Sequence, residues 1–285
     1  MQIIECPRDA MQGINSFIPT DIKIEYLNKL LQVGFDTLDF GSFVSPKAIP
    51  QLKDTKEVLD GLDLHNSNTK LLAIIANQRG GLEAVKYDKI SYLGYPLSIS
   101  ETFQQRNTNK SISDALQDVS FLQQLCAKEN KKLVVYISMA FGNPYNDPYS
   151  VEYLEKFADV LITLGVNIIS LSDTIGIANS SQIKSIFTML SKSHHNIDFG
   201  VHLHSTKKTS PQKIKAALEA GCKRFDGAML GYGGCPMAKD ELVGNVDTRA
   251  ILTELRAFGI KTNINMDVFA EAERYAAQKV FGAFV

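Results

Sequence analysis

Eight times along this chain a short run of β-type residues gives way to a longer segment with helical spacing. The strand-like runs are "IIEC" (3–6), "DTLDF" (36–40), "KLLAIIA" (70–76) and "KISYLG" (89–94), then "KLVVYISMA" (132–140), "NIISLS" (167–172), "DFGVHLH" (198–204) and "RFDGAML" (224–230). The segments between them include a helix over 21–33, with Thr20 as its N-cap, and one over 111–130 capped by Ser111 or Ser113. A strand followed by a helix must cross over to reach a parallel neighbour, so this alternation calls for a parallel sheet. Eight such units point to a closed (β/α)8 TIM barrel, with an open doubly wound sheet as the alternative. Gly34, Gly165 and Gly221 stand just before strands, where helix ends are expected. The stretch "MDVFAEAERYAAQKVFGAF" reads as one extra C-terminal helix packed outside the barrel. No linker, low-complexity segment or charge run divides the chain, so residues 1–285 are expected to form one catalytic domain.

Composition narrows the partners. The 30 basic and 31 acidic side chains leave no positive field for nucleic acid. No run approaches the roughly 20 apolar residues of a membrane helix, and "MQIIECPRDA" lacks the layout of a signal peptide. Cysteines at 6, 126, 222 and 235 are spaced neither as a disulfide framework nor as a zinc knuckle. A cytoplasmic protein with free thiols is expected. Cys6, Cys126 and Cys222 read as packing residues.

In a barrel of this kind chemistry sits at the C-terminal ends of the strands. Those positions hold Arg8 and Asp9, then Asp39 and Ser42, then Asn77, then Ser172 and Asp173, then His202 and His204. The loop after the eighth strand carries "GYGGCPMAKDELVGN", with Cys235 and Asn245. In "VHLHST" the two histidines lie two apart, on one face of a strand. A single imidazole there is more often a hydrogen-bonded core residue than a ligand. A pair beside an aspartate is harder to explain that way, and from spacing alone the metal and packing readings stand level. With Asp9 and the Asn245 amide oxygen the pair makes an N2O2 donor set. Without thiolates it suits Mg²⁺ or Mn²⁺ before Zn²⁺, Co²⁺ or Fe²⁺. The glycines around Cys235 could carry it over the barrel mouth, although a loop cysteine is usually unremarkable and Gly-Gly is a common turn.

Taken together, "PRDAMQ" (7–12), "SFVSPKAIPQ" (42–51), "SLSDTIG" (170–176), "HLH" (202–204) and "GGCPMA…GN" (233–245) resemble the hydroxymethylglutaryl-CoA lyase family, over nearly the whole chain and in barrel order. That family sits in a wider superfamily of metal-dependent lyases, aldolases and Claisen-condensing synthases. The resemblance implies a carbon–carbon lyase of the oxo-acid type, dependent on a divalent metal. It would cleave a 3-hydroxyacyl-CoA to acetyl-CoA and a 3-oxo acid such as acetoacetate. It implies Asp9, His202, His204 and Asn245 as metal ligands, with His202 also counted among the catalytic groups. Arg8 would polarise the substrate carbonyl, and Cys235 would take part in proton transfer. Asp39 stands where the lyases carry glutamate, and Asp173 matches an acidic active-site position. Arg8, Asn77 and Ser42 are expected to touch substrate. The implied partner is an acyl-CoA, with a homodimer as a candidate assembly.

Several positions depart from the lyase pattern. Ala10 replaces a glycine, Asn15 a lysine, Ser205 an aspartate and Arg249 a glutamate, and Asp39 is one methylene short. These leave open an aldolase or condensing enzyme acting on another oxo or hydroxy acid, and a non-catalytic homologue that retains the metal. The synthases usually carry an added C-terminal region, so the short stretch after the eighth strand favours cleavage.

Overall fold

In the computed structural model, which describes residues 1–234 and 243–284, eight parallel strands close into a barrel in sequential order. They are β1 (Gln2–Glu5), β2 (Thr37–Ser42), β3 (Lys70–Ile74), β4 (Ile90–Ser98), β5 (Lys132–Ser138), β6 (Ile168–Asp173), β7 (Asp198–Leu203) and β8 (Arg224–Gly227). Closure is made where β1 pairs with β8, in the register Gln2 to Arg224 through Glu5 to Gly227. The expected TIM barrel is therefore the observed one, and the open sheet is not.

Strand alternation divides the core. Residues such as Leu71, Ala73, Val135, Ile137, Ile169 and Leu171 join the large cluster between strands and helices. Their neighbours Leu72, Ile74, Val134, Tyr136 and Ile168 form a second, smaller cluster that fills the barrel itself. The helices present one apolar face to the first cluster. They are α1 (Pro7–Gln12), α2 (Thr20–Leu31), α3 (Thr55–Asp60), α4 (Gln78–Ala84), α5 (Glu101–Thr108), α6 (Ile112–Lys128), α7 (Val151–Thr163), α8 (Ser180–Ser193), α9 (Ser210–Glu219), α10 (Thr248–Ala257) and α11 (Met266–Tyr275). The last is the expected extra helix. It runs on through a π-helical stretch, Ala276–Phe281. Ser111 caps α6 as expected, accepting from the Asp114 amide. Gly34, Gly165 and Gly221 adopt φ of 95, 89 and 87°. At Gly34 a side chain would also meet the Asn263 carbonyl oxygen at 2.7 Å.

Two local expectations need correction, and two short helices stand where none was expected. Thr20 is the first residue of α2 rather than its cap; its hydroxyl donates to Asp54 (2.8 Å). The short helix α1 begins directly behind β1, because Pro7 at its start fixes a helical φ and has no N–H to satisfy. Strand β4 runs on through Pro96 to Ser98, and the polar segment behind it forms α5 with Ser100 as its cap.

Candidate active site

The C-terminal rim of the barrel opens into a cavity of about 490 Å³. Arg8 and Asp9 reach its wall from α1, Asp39 from β2, and His202 and His204 from β7 and the residue behind it. One ligand atom from each of Asp9, His202 and His204 lies within 4.8 Å of the others.

The hydrogen bonds of the two imidazoles decide which nitrogen each offers. His204 Nδ1 lies 2.9 Å from the Thr174 carbonyl, which can only accept, so Nδ1 carries the proton. Nε2 is left as a lone pair, buried and without a partner among the described residues. A buried polar atom in that condition is costly unless a ligand meets it. His202 Nδ1 faces Asp226 Oδ2 at 3.3 Å, and Asp226 is wholly enclosed. Its Nε2 likewise makes no hydrogen bond among the described residues. A carboxylate behind a histidine is how ligating imidazoles are commonly oriented. Cys6, His202 and Asp226 form a second close group. Burial holds the Cys6 thiol well above its ordinary pKa, so it keeps its proton and offers no thiolate.

Asn245 is fastened beside His204 by an isolated antiparallel bridge. Ser205 N donates to Gly244 O (2.9 Å) and Val246 N to Leu203 O (3.1 Å). The Asn245 amide nitrogen donates to Asp9 Oδ2 (2.6 Å) and to the Tyr232 carbonyl (2.9 Å), and its Oδ1 accepts no hydrogen bond among the described residues. This approach needs Gly233, where φ is +98° and a Cβ would stand 2.5 Å from the Asn245 amide nitrogen.

Arg8 is held from three sides. Its Nε and Nη2 donate to the Asp39 carboxylate (3.0 and 2.6 Å), and its Nη1 donates to Asp9 Oδ1 (2.9 Å) and Gln12 Oε1 (2.8 Å). A guanidinium has five N–H groups. Among the described residues these contacts leave the second Nη2 hydrogen without a partner. Burial disfavours the Arg8 charge, but Asp39 and Asp9 outweigh it and raise its pKa further. Burial also pushes Asp9 up, yet Arg8, the two histidines and Asn245 bring it down to about 2. Asp39 goes the other way. Its burial prevails over the opposing effect of Arg8 and lifts it to about 6. Two carboxylates near one guanidinium are thus set apart by their surroundings.

Three expected residues have other work. Asp173 does not line the cavity. Lys213 Nζ donates to its Oδ2 (2.6 Å) and the Ala178 amide to its Oδ1 (3.0 Å). Lys213 also donates to the His204 carbonyl (2.8 Å), so Asp173 supports the backbone of β7 rather than facing a substrate. Asn77 caps α4, accepting from Gly80 N (2.9 Å), and Ser42 accepts from Val44 N (3.1 Å) where β2 turns. Neither forms part of the cavity wall. Cys235 lies outside the described residues. Sequence reasoning missed Asp226, Thr174 and Gln12. Arg224 and Asp226 stand two apart in "RFDGAML", two charges on one face of an otherwise apolar strand, and that pattern could have disclosed Asp226. Of the departures from the lyase pattern, Asn15 lines the cavity, Ala10 and Ser205 are buried, and Arg249 pairs with Glu273 on α11.

A family model described as HMGL-like matches residues 2–275. The chain belongs to the HMGL-like family. Its relatives include the hydroxymethylglutaryl-CoA lyase of Bacillus subtilis, 33% identical over 274 residues that cover 96% of this chain and 91% of that protein. The mitochondrial hydroxymethylglutaryl-CoA lyase of Mus musculus is 31% identical over 98% of this chain and 85% of that protein. Among solved structures, an HMG-CoA lyase of Acinetobacter baumannii in complex with coenzyme A and 3-methylmalate superposes with a TM-score of 0.89 at 30% identity, covering 98% of this chain and 90% of that one.

Proposed function

We propose that the protein is a divalent-metal-dependent carbon–carbon lyase that cleaves 3-hydroxy-3-methylglutaryl-CoA to acetyl-CoA and acetoacetate. The observation that carries this reading is the meeting of Asp9, His202 and His204 beside an arginine with one hydrogen to spare, in a cavity of an HMGL-like barrel. The donor set fits a cation: two imidazoles with their Nε2 lone pairs turned inward, an ionised carboxylate, and an amide oxygen from Asn245. Imidazole and oxygen donors without a thiolate suit Mg²⁺ or Mn²⁺. Bound there, the cation would polarise the substrate's hydroxyl and carbonyl oxygens and lower the cost of ionising the hydroxyl.

The remaining chemistry belongs to the side chains. Asp39, raised to about 6, is ionised at neutral pH yet basic enough to take the hydroxyl proton. As that proton leaves, the hydroxyl carbon becomes a ketone, the neighbouring carbon–carbon bond breaks, and its electron pair passes to the thioester as an enolate. Arg8 offers its remaining Nη2 hydrogen to the enolate oxygen, an oxyanion role prepaid by the contacts that immobilise its guanidinium. Protonation of the enolate carbon completes acetyl-CoA, and Cys235 is the residue we assign as donor. His202 holds rather than reacts, since one nitrogen is committed to Asp226 and the other to the donor set.

The described cysteines are free and buried, which suits a reducing compartment, and we place the protein in the cytoplasm. None of its described helices is long and apolar enough to cross a membrane. The test is to assay Mg²⁺- or Mn²⁺-loaded protein against 3-hydroxy-3-methylglutaryl-CoA and other 3-hydroxyacyl-CoAs. Equimolar acetyl-CoA and acetoacetate, abolished by chelator, is the expected result. Loss of no substrate under metal-replete conditions would overturn the reading.

A further inference from the structure

Asn245 is the donor most in need of support, because it comes from a chain segment rather than a strand. The structure shows where support comes from on both of its flanks. Upstream, the Tyr232 carbonyl accepts from the Asn245 amide (2.9 Å), and the Tyr232 ring stacks on Phe281 with centroids 4.1 Å apart and planes 12° from parallel. Downstream, Arg249 makes a two-pronged pair with Glu273 (2.7 and 2.6 Å) and lies 4.9 Å over the Phe269 ring. Phe269 and Glu273 are in α11, and Phe281 ends the π-helical stretch that follows it. One C-terminal element therefore grips the chain on either side of Asn245.

The grip is anchored in the core. Phe281 is 1% exposed and meets Tyr26 of α2 edge-on at 6.5 Å, while Tyr26 stacks on Tyr275 at 6.4 Å. The π-helical stretch has a physical consequence here. A π turn is wider than an α turn, so it changes the side of the helix from which Phe281 emerges, and such turns recur at functional sites. Tyr232, by contrast, is 37% exposed. Its ring would have little reason to be fixed if Phe281 were not beneath it.

We propose that the C-terminal helix is a brace for the metal site, with Tyr232 and Arg249 as positioning residues that hold the Asn245 amide against Asp9. This rests on the reading of Asn245 as a cation ligand. It assigns a role to a helix that lies outside the eightfold barrel and contributes no residue to the cavity wall. Loosening either flank lets the amide turn away from Asp9 and weakens cation binding without removing a ligand.

The experiment is titration of Mn²⁺ into the purified full chain, with free Mn²⁺ followed by electron paramagnetic resonance. Tyr232→Leu and Arg249→Ala are each expected to raise the Mn²⁺ dissociation constant by about tenfold, the scale on which outer supports act on metal affinity. Tyr232→Phe, which keeps the stacking ring, restores affinity to the wild-type value. Both altered side chains are partly exposed, so the variants fold, and thermal unfolding of the metal-free forms verifies it. Wild-type affinity in folded Tyr232→Leu and Arg249→Ala overturns the brace while leaving the metal site intact. Failure of the wild-type chain to bind Mn²⁺ overturns the metal reading and the brace with it.

Discussion

Replacing Asp226 by asparagine tests how the barrel interior prepares its histidine. The Asp226 side chain is fully enclosed in β8 and faces His202 Nδ1 at 3.3 Å. Hydrogen bonds to a charged group contribute about 1.5–3 kcal/mol, neutral ones about 1 kcal/mol, so exchanging carboxylate for amide removes roughly 1–2 kcal/mol. The separation is long for such a bond, which places the effect near the lower end. At about 1.4 kcal/mol per factor of ten, cation affinity falls about fivefold. A larger loss follows if the asparagine turns its NH2 toward His202, because the imidazole must then move its proton to Nε2 and lose the lone pair that faces Asp9. The assay is Mn²⁺ titration of Asp226→Asn against wild type, with thermal unfolding of both metal-free proteins as the control for folding. Asn245 and His204 are untouched by this change, so residual binding through them and Asp9 is expected. A folded Asp226→Asn with Mn²⁺ affinity within twofold of wild type would refute the argument that Asp226 sets the tautomer.

Other consequences follow from the same geometry. Arg8→Gln should lower kcat about 10²–10³-fold, the usual cost of an oxyanion donor, while changing Mn²⁺ affinity much less; near-normal turnover would remove Arg8 from the reaction. Because burial lifts Asp39 to about 6, it gains a proton as pH falls through that value and can no longer accept one, so kcat should drop about tenfold per pH unit below 6. A kcat that stays flat down to pH 5 would contradict this. Cys235→Ser should slow turnover, and substrate should protect Cys235 from alkylation in the wild-type protein; full activity of the serine variant with unprotected labelling would exclude it as the proton donor.

Much of this was legible in the sequence, for identifiable reasons. The strands announce themselves because each is an apolar run bounded by polar or glycine residues, and barrel order follows once eight are counted. Asp9, Arg8 and the histidine pair follow from position alone, since strand ends converge in a barrel. Asp173 illustrates what position cannot give. It ends β6 as expected, but Lys213, forty residues later in sequence, turns its carboxylate away from the cavity. Asn77 also stands at a strand end, where the needs of the next helix N-terminus claim its side chain. Asp226 was overlooked because its importance lies in a cross-strand partner: β7 and β8 pair His202 with Asp226 in register. The C-terminal helix was recognised as an element, yet nothing in its apolar spacing tells that Phe281 lies under Tyr232. Arg249 was visible only as a departure from the lyase pattern. Glu273, its partner, shows that the reversed charge is balanced within this chain.

The central claim is that Asp9, His202, His204 and Asn245 hold one divalent cation on which cleavage depends. Its most direct test is anomalous scattering from crystals of the protein soaked in Mn²⁺. A single peak per chain is predicted, about 2.0–2.3 Å from His202 Nε2, His204 Nε2, an Asp9 oxygen and Asn245 Oδ1. A peak elsewhere, or no peak among these four side chains at saturating Mn²⁺, would contradict the account.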